Sequence, residues 1–336
     1  MQEINVSGRE EGGTLLKLLG KYLKEAPVSF FYKMLRKKNI TLNGKKAEGQ
    51  EKLAKGDVIR LFLSDDTIRQ FGGAAWLTGQ TGNEIPIPDR RKPQKQPEII
   101  YEDDDILLIN KPAGWLTQKA APEDFSLNEW VMEYLFSVGS ITRQELSTFH
   151  PGVCNRLDRN TSGLVAAGKT LAGLQFLSEA FRERALHKYY TCIVVGEIKN
   201  AARMDGYLKK DEKENLVRIL QDTKGEGEGY GQVHAAYRPL AVCGGFTYLE
   251  VELITGKTHQ IRAQLAADGH AVLGDAKYAD EAGRTLGRRY HLKHQLLHAG
   301  RIVFGGYTGR FSYLGGREFT ANEPEAFRKI KEQLGF

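Results

Sequence analysis

Cysteine is scarce in this chain, with only Cys154, Cys192 and Cys243 among 336 residues. The number is odd and no two form a C-x-x-C pair. A disulfide framework and a cysteine zinc site are therefore not expected, and a reducing compartment fits. No run of about 18 apolar residues is present, so no helix should span a membrane. The start, Met1-Gln2-Glu3-Ile4-Asn5, lacks the basic residues and apolar stretch of a signal peptide. The chain is thus expected in the cytoplasm, with no membrane partner. The rest of the composition is that of a globular protein, 41% hydrophobic and 27% charged, long enough for two domains or three. Acidic residues are in the minority: 48 Lys and Arg face 42 Asp and Glu, for a net charge of +6. That balance favours an anionic partner, nucleic acid first.

The excess charge is concentrated. Lys33, Arg36, Lys37, Lys38, Lys45, Lys46, Lys52, Lys55 and Arg60 meet only Glu48, Glu51 and Asp57 in the same stretch. Around them the pattern reads as a compact unit. Leu15, Leu18, Leu19, Tyr22 and Leu23 share one face of a helix. Ser29 can cap a second helix that turns Phe30, Phe31, Met34 and Leu35 inward and its lysines outward. Ile40-Thr41-Leu42 reads as a strand entering an Asn43-Gly44 hairpin, and Lys55-Gly56-Asp57 turns into a strand over Val58–Leu63. A basic face of this kind suits the backbone of a folded RNA, and Lys37, Lys38 and Lys45 are its candidate contacts. A solvated helix is the plain alternative, but here the charge flanks a hairpin as well as a helix end.

Pro86, Pro88, Pro93 and Pro97 crowd into twelve positions behind Gly72, Gly73, Gly79 and Gly82, a composition that predicts an extended connector between units able to move. The expected division is 1–63 for the basic module, 64–97 for the connector and 98–336 for a second domain. In that domain Ile99–Tyr101 and Ile106–Ile109 predict a hairpin, Ser126 and Thr170 cap helices, and Tyr190–Val195 and Phe246–Leu253 predict strands. Strands and helices do not alternate regularly. The fold class is therefore α+β, with a central, mainly antiparallel mixed sheet flanked by helices.

Two clusters carry chemistry. N-R-L-D-R-N-T-S-G-L at 155–164 holds Asp158 between Arg156 and Arg159 among turn-forming residues. Neighbouring guanidiniums favour the carboxylate form, suited to a nucleophile or base working among phosphates. Taken locally, a surface turn explains it as well. T-G-K-T-H-Q-I-R at 255–262 opens a helix that Thr258 can cap and that ends near Gly269. Thr258 and Arg262 share a face, and Lys257, His259 and Arg262 gather cationic donors at the anion-friendly helix start. An amphipathic helix with a basic outer face is the plain reading.

Together with I-N-K-P-A-G at 109–114, K-Y-Y-T-C-I-V-V-G at 188–196, G-H-A-V-L-G-D-A-K-Y at 269–278 and L-L-H-A at 296–299, these runs resemble the RluA-type RNA pseudouridine synthases. The likeness spans residue 98 to the end. The first 63 residues resemble a small RNA-binding module first known from a ribosomal small-subunit protein. The resemblance implies a pseudouridine synthase fold and roles by position. Asp158 is the catalytic aspartate, Arg262 the basic residue that pairs with it and holds its carboxylate ionised and aimed, and Tyr190 the tyrosine whose ring faces the base and can take part in proton transfer. Ile261 is an apolar wall, and Arg156 lies along the RNA. One position departs: Asn155 stands where the family often has histidine, which bears on a histidine role there and not on the aspartate.

Isomerising uridine adds no group and transfers no electrons, so no cofactor and no metal is implied. The resemblance implies structured RNA as partner, large-subunit ribosomal RNA first and transfer RNA second; a monomer is expected. Extruding the target costs on the order of a few kcal/mol. Charge-assisted phosphate contacts of about 1 kcal/mol or more each can offset it. Two rivals remain. One is an RNA methyltransferase, but K-G-E-G-E-G-Y-G at 224–231 follows polar residues and precedes a strand, which predicts a hairpin loop rather than a nucleotide cradle. The other is an RNA-binding protein without catalysis, against which the intact aspartate, tyrosine and arginine motifs argue. His291, His294 and His298 have metal-like spacing, yet no acid or cysteine joins them. One helix face or an RNA contact is the expectation.

Overall fold

The computed structural model describes residues 1–72, 95–211, 216–220 and 229–336, apart from the side chains of 143 and 144. Pro86, Pro88 and Pro93 of the expected connector, and 224–228 of the glycine-rich loop, lie outside them.

The N-terminal unit runs β1 (Gln2–Asn5), α1 (Leu15–Tyr22), α2 (Val28–Arg36), β2 (Ile40–Leu42), β3 (Lys45–Lys46), β4 (Val58–Leu61) and α3 (Asp65–Gly72). Its strands form one antiparallel sheet in the order β1-β4-β2-β3. α1 buries Leu15, Leu18, Leu19 and Tyr22, as their spacing predicts. Asn43 and Gly44 have φ of 51° and 74°, the positive values that a two-residue hairpin turn requires. The start of α2 differs from expectation. Pro27, not Ser29, holds the N-cap position, because its locked φ of −68° already sets the chain for the first turn. α3 also differs. Residues assigned to the connector fold back, and Ile68 joins the same core as Leu19, Phe31 and Leu61.

The second unit comprises β5 (Glu98–Glu102), β6 (Ile106–Lys111), α4 (Leu127–Ser137), α5 (Arg143–Thr148), β7 (Gly152–Val153), β8 (Ser162–Gly168), α6 (Leu171–Arg182), β9 (Leu186–Val195) and β10 (Ala202–Asp211). It continues with β11 (Leu216–Leu220), β12 (Gly231–Cys243), β13 (Phe246–Leu253), α7 (Gln260–Ala267), α8 (Glu281–Arg289), β14 (Leu297–Phe304), β15 (Glu318–Thr320) and α9 (Glu325–Gln333). One sheet runs β11-β10-β12-β13-β9-β14-β8-β6-β5, with β15 on β14 and β7 on β8. Among the pairings of these named strands only β14 with β8 is parallel, so the sheet is mixed and mainly antiparallel, as expected.

Alternation along the strands sends side chains to both faces. Leu107, Ile109, Val165 and Tyr190 pack with α4 and α7, while Ile106, Leu108, Leu164 and Ala166 pack with α6. Both faces are covered, which is why Ile106–Ile109 is continuously apolar. Thr170 caps α6, its hydroxyl accepting from Gly173 N at 3.0 Å. Among the described residues no helix is long and apolar enough to cross a membrane.

The two units touch, a contact that the connector's composition did not foretell. Arg9 donates to the carbonyls of Lys169 (2.7 Å) and Ser140 and lies 3.3 Å from Glu145. Leu171 N donates to Arg9 O at 2.9 Å, and the buried Glu10 accepts from Thr148. These groups are polar and partly buried, so unpairing one is costly. Arg9→Ala should lower stability by about 1.5–3 kcal/mol in urea unfolding. It should also split a single transition into two as the small unit is released. An unchanged curve would show that the contact holds nothing.

Candidate active site

Asp158 lies in the loop between β7 and β8, and residues 111–117 pin that loop on both sides. Thr117 Oγ1 donates to Leu157 O at 2.9 Å and accepts from Leu157 N at 3.2 Å. Gly114 N donates to Arg159 O at 2.9 Å. Lys111 Nζ reaches the carbonyls of Trp115 (2.9 Å), Arg159 (3.1 Å) and Pro112 (3.2 Å). Lys111 is fully buried, and burial pulls its ammonium down to about 7 against the opposing charge of Asp158. The K-P-A-G run is thus a clamp on the Asp158 loop. Gly163 closes the loop's far end. Its φ is +116°, and a Cβ there would meet Ala299 O of β14 at 2.2 Å. Asn155 also works on the backbone: its amide accepts from Ala166 N at 2.8 Å and donates to Leu164 O at 3.3 Å.

The flanking arginines do not pair with Asp158. Arg159 turns to Gly114 O at 3.2 Å, and Arg156 is exposed. The partner is Arg262, 104 residues away, whose Nη1 donates to Asp158 Oδ2 at 2.8 Å. The rest of that guanidinium is held by Asp275, through Nε at 2.6 Å and Nη2 at 3.0 Å. Asp275 is 1% exposed and also accepts from the amides of Lys277 (3.0 Å) and Tyr278 (3.2 Å). Burial works against the charge on Arg262, but Asp275 and then Asp158 outweigh it, so its pKa is raised. Such a two-oxygen fork fixes direction as well as charge, leaving Nη1 for Asp158.

The helix carrying Arg262 begins differently from expectation. α7 starts at Gln260, and His259 holds the cap position in the left-handed region with φ 53°, so exposed Thr258 lies outside it. Gln260 through Leu265 are all buried, which replaces the basic outer face expected of the helix. The end near Gly269 is as expected, with φ 82° just past the last turn. The His259 backbone turn aims its ring at the site: Nδ1 is 2.8 Å from the Tyr278 hydroxyl, and Nε2 is 3.8 Å from Asp158 Oδ2. The Tyr278 hydroxyl also accepts from Val217 N at 3.0 Å, which fixes the oxygen that His259 meets. The imidazole thus bridges the Tyr278 hydroxyl and the Asp158 carboxylate. Burial lowers the His259 pKa, with Asp158 opposing, which favours the neutral ring.

Asp158 opens onto a cleft of about 790 Å³. Tyr190 on β9 and Ile261 on α7 form apolar wall, both under a tenth exposed. Burial, and then the Asp158 charge, push the Tyr190 phenol up, so it remains a neutral donor at physiological pH. Arg156 and Lys257 stand at the exposed rim. The structure therefore brings Asp158, Tyr190, Arg262, Arg156, Ile261, Lys257 and His259 together. Lys37, Lys38 and Lys45 are exposed on the N-terminal unit and do not line this cleft. The histidine trio does not share a helix face. His291 follows α8, His294 precedes β14, and His298 lies in β14, buried between Ser162 Oγ (2.9 Å) and Ala321 O (3.0 Å). No group of three or more potential metal ligands occurs among the described residues. Sequence reasoning assigned nothing to Lys111, Asp275 or Tyr278, although the motifs containing them were noticed.

The profile of the RNA pseudouridylate synthase family matches residues 105–267. A Vibrio vulnificus protein named ribosomal large subunit pseudouridine synthase C is 28% identical over 306 residues, covering 90% of this chain and 88% of that protein. An uncharacterized RNA pseudouridine synthase of Mycoplasma pneumoniae is 30% identical, covering 84% of this chain and 82% of that one. Human RNA pseudouridylate synthase domain containing 4 shares the fold, with TM-score 0.55 at 18% identity over 70% of this chain and 92% of that one.

Proposed function

The chain belongs to the RNA pseudouridine synthase family, and from that premise we propose that it isomerises uridines of large-subunit ribosomal RNA with Asp158 as its catalytic carboxylate. The carrying observation is the Asp158–Arg262 pair, 2.8 Å apart, at the edge of the cleft that Tyr190 and Ile261 wall. The names of relatives such as the Vibrio protein support the ribosomal substrate, with transfer RNA the second candidate. In this reading the N-terminal unit, with Lys37, Lys38 and Lys45, holds flanking RNA in a structured region. The protein works as a monomer in the cytoplasm.

The reaction breaks the bond between uracil N1 and the sugar, turns the base within the cleft, and joins C5 to the same carbon. N1 gains a proton and C5 loses one. Asp158 can attack the ring or the sugar, or take a sugar proton. Arg262 holds it for any of these. Ile261 and the Tyr190 ring keep the detached base from leaving, and the neutral phenol can hand over a proton.

Loss of the C5 proton supplies the test. Purified protein should release tritium from RNA labelled at uracil C5, taken from a strain lacking the enzyme. Mapping pseudouridines with and without the gene then names the site. No release from total RNA would overturn the proposal. Release from transfer RNA alone would overturn the ribosomal part.

A further inference from the structure

A second cavity, of about 290 Å³, opens beside Asp158. Asp158, Arg159, His259 and Arg262 line both spaces. The remaining walls differ in chemistry. Tyr190, Ile261 and Leu253 border only the larger cleft, whereas Lys277, Lys293 and His294 border only the smaller cavity.

The charges of the smaller cavity do not cancel. Its two carboxylates, Asp158 and Asp275, are both engaged by Arg262. Arg159 and Lys293 then leave the space cationic. Lys293 is exposed and makes no hydrogen bond or ion pair among the described residues. Burial, with Lys111 and Lys293 nearby, lowers the pKa of His294, so its ring adds a neutral polar group. A space beside a catalytic carboxylate that is polar, cationic and too small for a base pair is suited to an anion.

Resting on the function proposed above, we infer that this cavity seats a phosphodiester flanking the target uridine, with Lys293 as its principal contact. A nucleotide has a flat base at one end and anionic phosphates at the other, with the sugar between. The base takes the cleft walled by Tyr190 and Ile261. The phosphate enters the cationic cavity. The sugar then spans the boundary that Asp158 forms, which places the bond to be broken at the carboxylate. Arg262 already directs three of its five N–H donors to Asp158 and Asp275, whereas the Lys293 ammonium has all of its own to offer.

The test uses the full-length protein and the tritium-labelled RNA described above. Lys293→Ala should raise KM roughly tenfold with kcat within about twofold, and lower the slope of log Kd against log salt by about one. Lys293→Arg should restore both, since it keeps the charge. The same change at Lys329, an exposed lysine on α9, should alter neither and so controls for net charge. Unchanged KM and salt slope in Lys293→Ala, with release intact, would overturn the phosphate seat and leave the proposed function standing. If wild type releases no tritium, the proposed function fails. The salt slope of RNA binding then decides the seat alone: no change with Lys293→Ala refutes it.

Discussion

Asp158→Asn should lower tritium release by on the order of 10⁴-fold or more while RNA binding stays within about twofold. The change removes a charge and a nucleophile but little shape. Its amide oxygen can still accept from Arg262 Nη1, now 2.8 Å from the carboxylate. Arg262 remains forked onto Asp275, and the loop remains clamped by Thr117, Gly114 and Lys111. The Asp158 side chain is 24% exposed, so losing its charge should disturb folding little. Single-turnover release, filter binding and thermal unfolding separate the possibilities. Loss of binding or of cooperative unfolding in this variant would recast Asp158 as structural.

What the sequence made legible was largely local or covalently spaced. The Asn43-Gly44 turn needs two positive φ values and little else, and it forms as read. Thr170 caps α6 because the hydroxyl and the N–H it accepts from are three residues apart. β13 occupies Phe246–Leu253, the bounds that alternation set. The failures lie where tertiary contacts outweigh local preference. His259 takes the cap of α7 in a left-handed conformation because its ring is drawn to Tyr278, nineteen residues on. The turn-rich run around Asp158 suggested that Arg156 and Arg159 were its neighbours. The fold instead spends Arg159 on Gly114 and brings Arg262 across 104 residues. Motif resemblance named Arg262, but it could not name Asp275. An acid in a G-D-A-K-Y run has no partner written beside it. Its role becomes visible only when α7 packs against the segment that follows it.

That packing gives Asp275 a testable part in the chemistry. Asp275→Ala should cost about 3–5 kcal/mol of stability, because a buried guanidinium loses its paired acceptors. Asp275→Asn is the finer test, since it preserves volume and one oxygen. It should reduce kcat by about 10²-fold with KM within about threefold, the expected result when a reacting group is misplaced by a fraction of an ångström to one ångström. The direction follows from geometry. Nε and Nη2 are fixed by the two Asp275 oxygens, and this alone leaves Nη1 directed at Asp158. Asp275 is itself fixed by the amides of Lys277 and Tyr278, so its oxygens cannot follow a turning guanidinium. With one oxygen replaced by an amide NH₂, the fork meets a donor where it needs an acceptor. Arg262 then rotates toward the one full carboxylate left, and the hydrogen bond that aimed Asp158 draws it away from the target nucleotide. Binding relies on the rim and the small cavity, so KM should hold. A kcat equal to wild type in Asp275→Asn would mean that Arg262 is positioned by α7 alone, and that the second carboxylate serves only to make burial of the arginine tolerable.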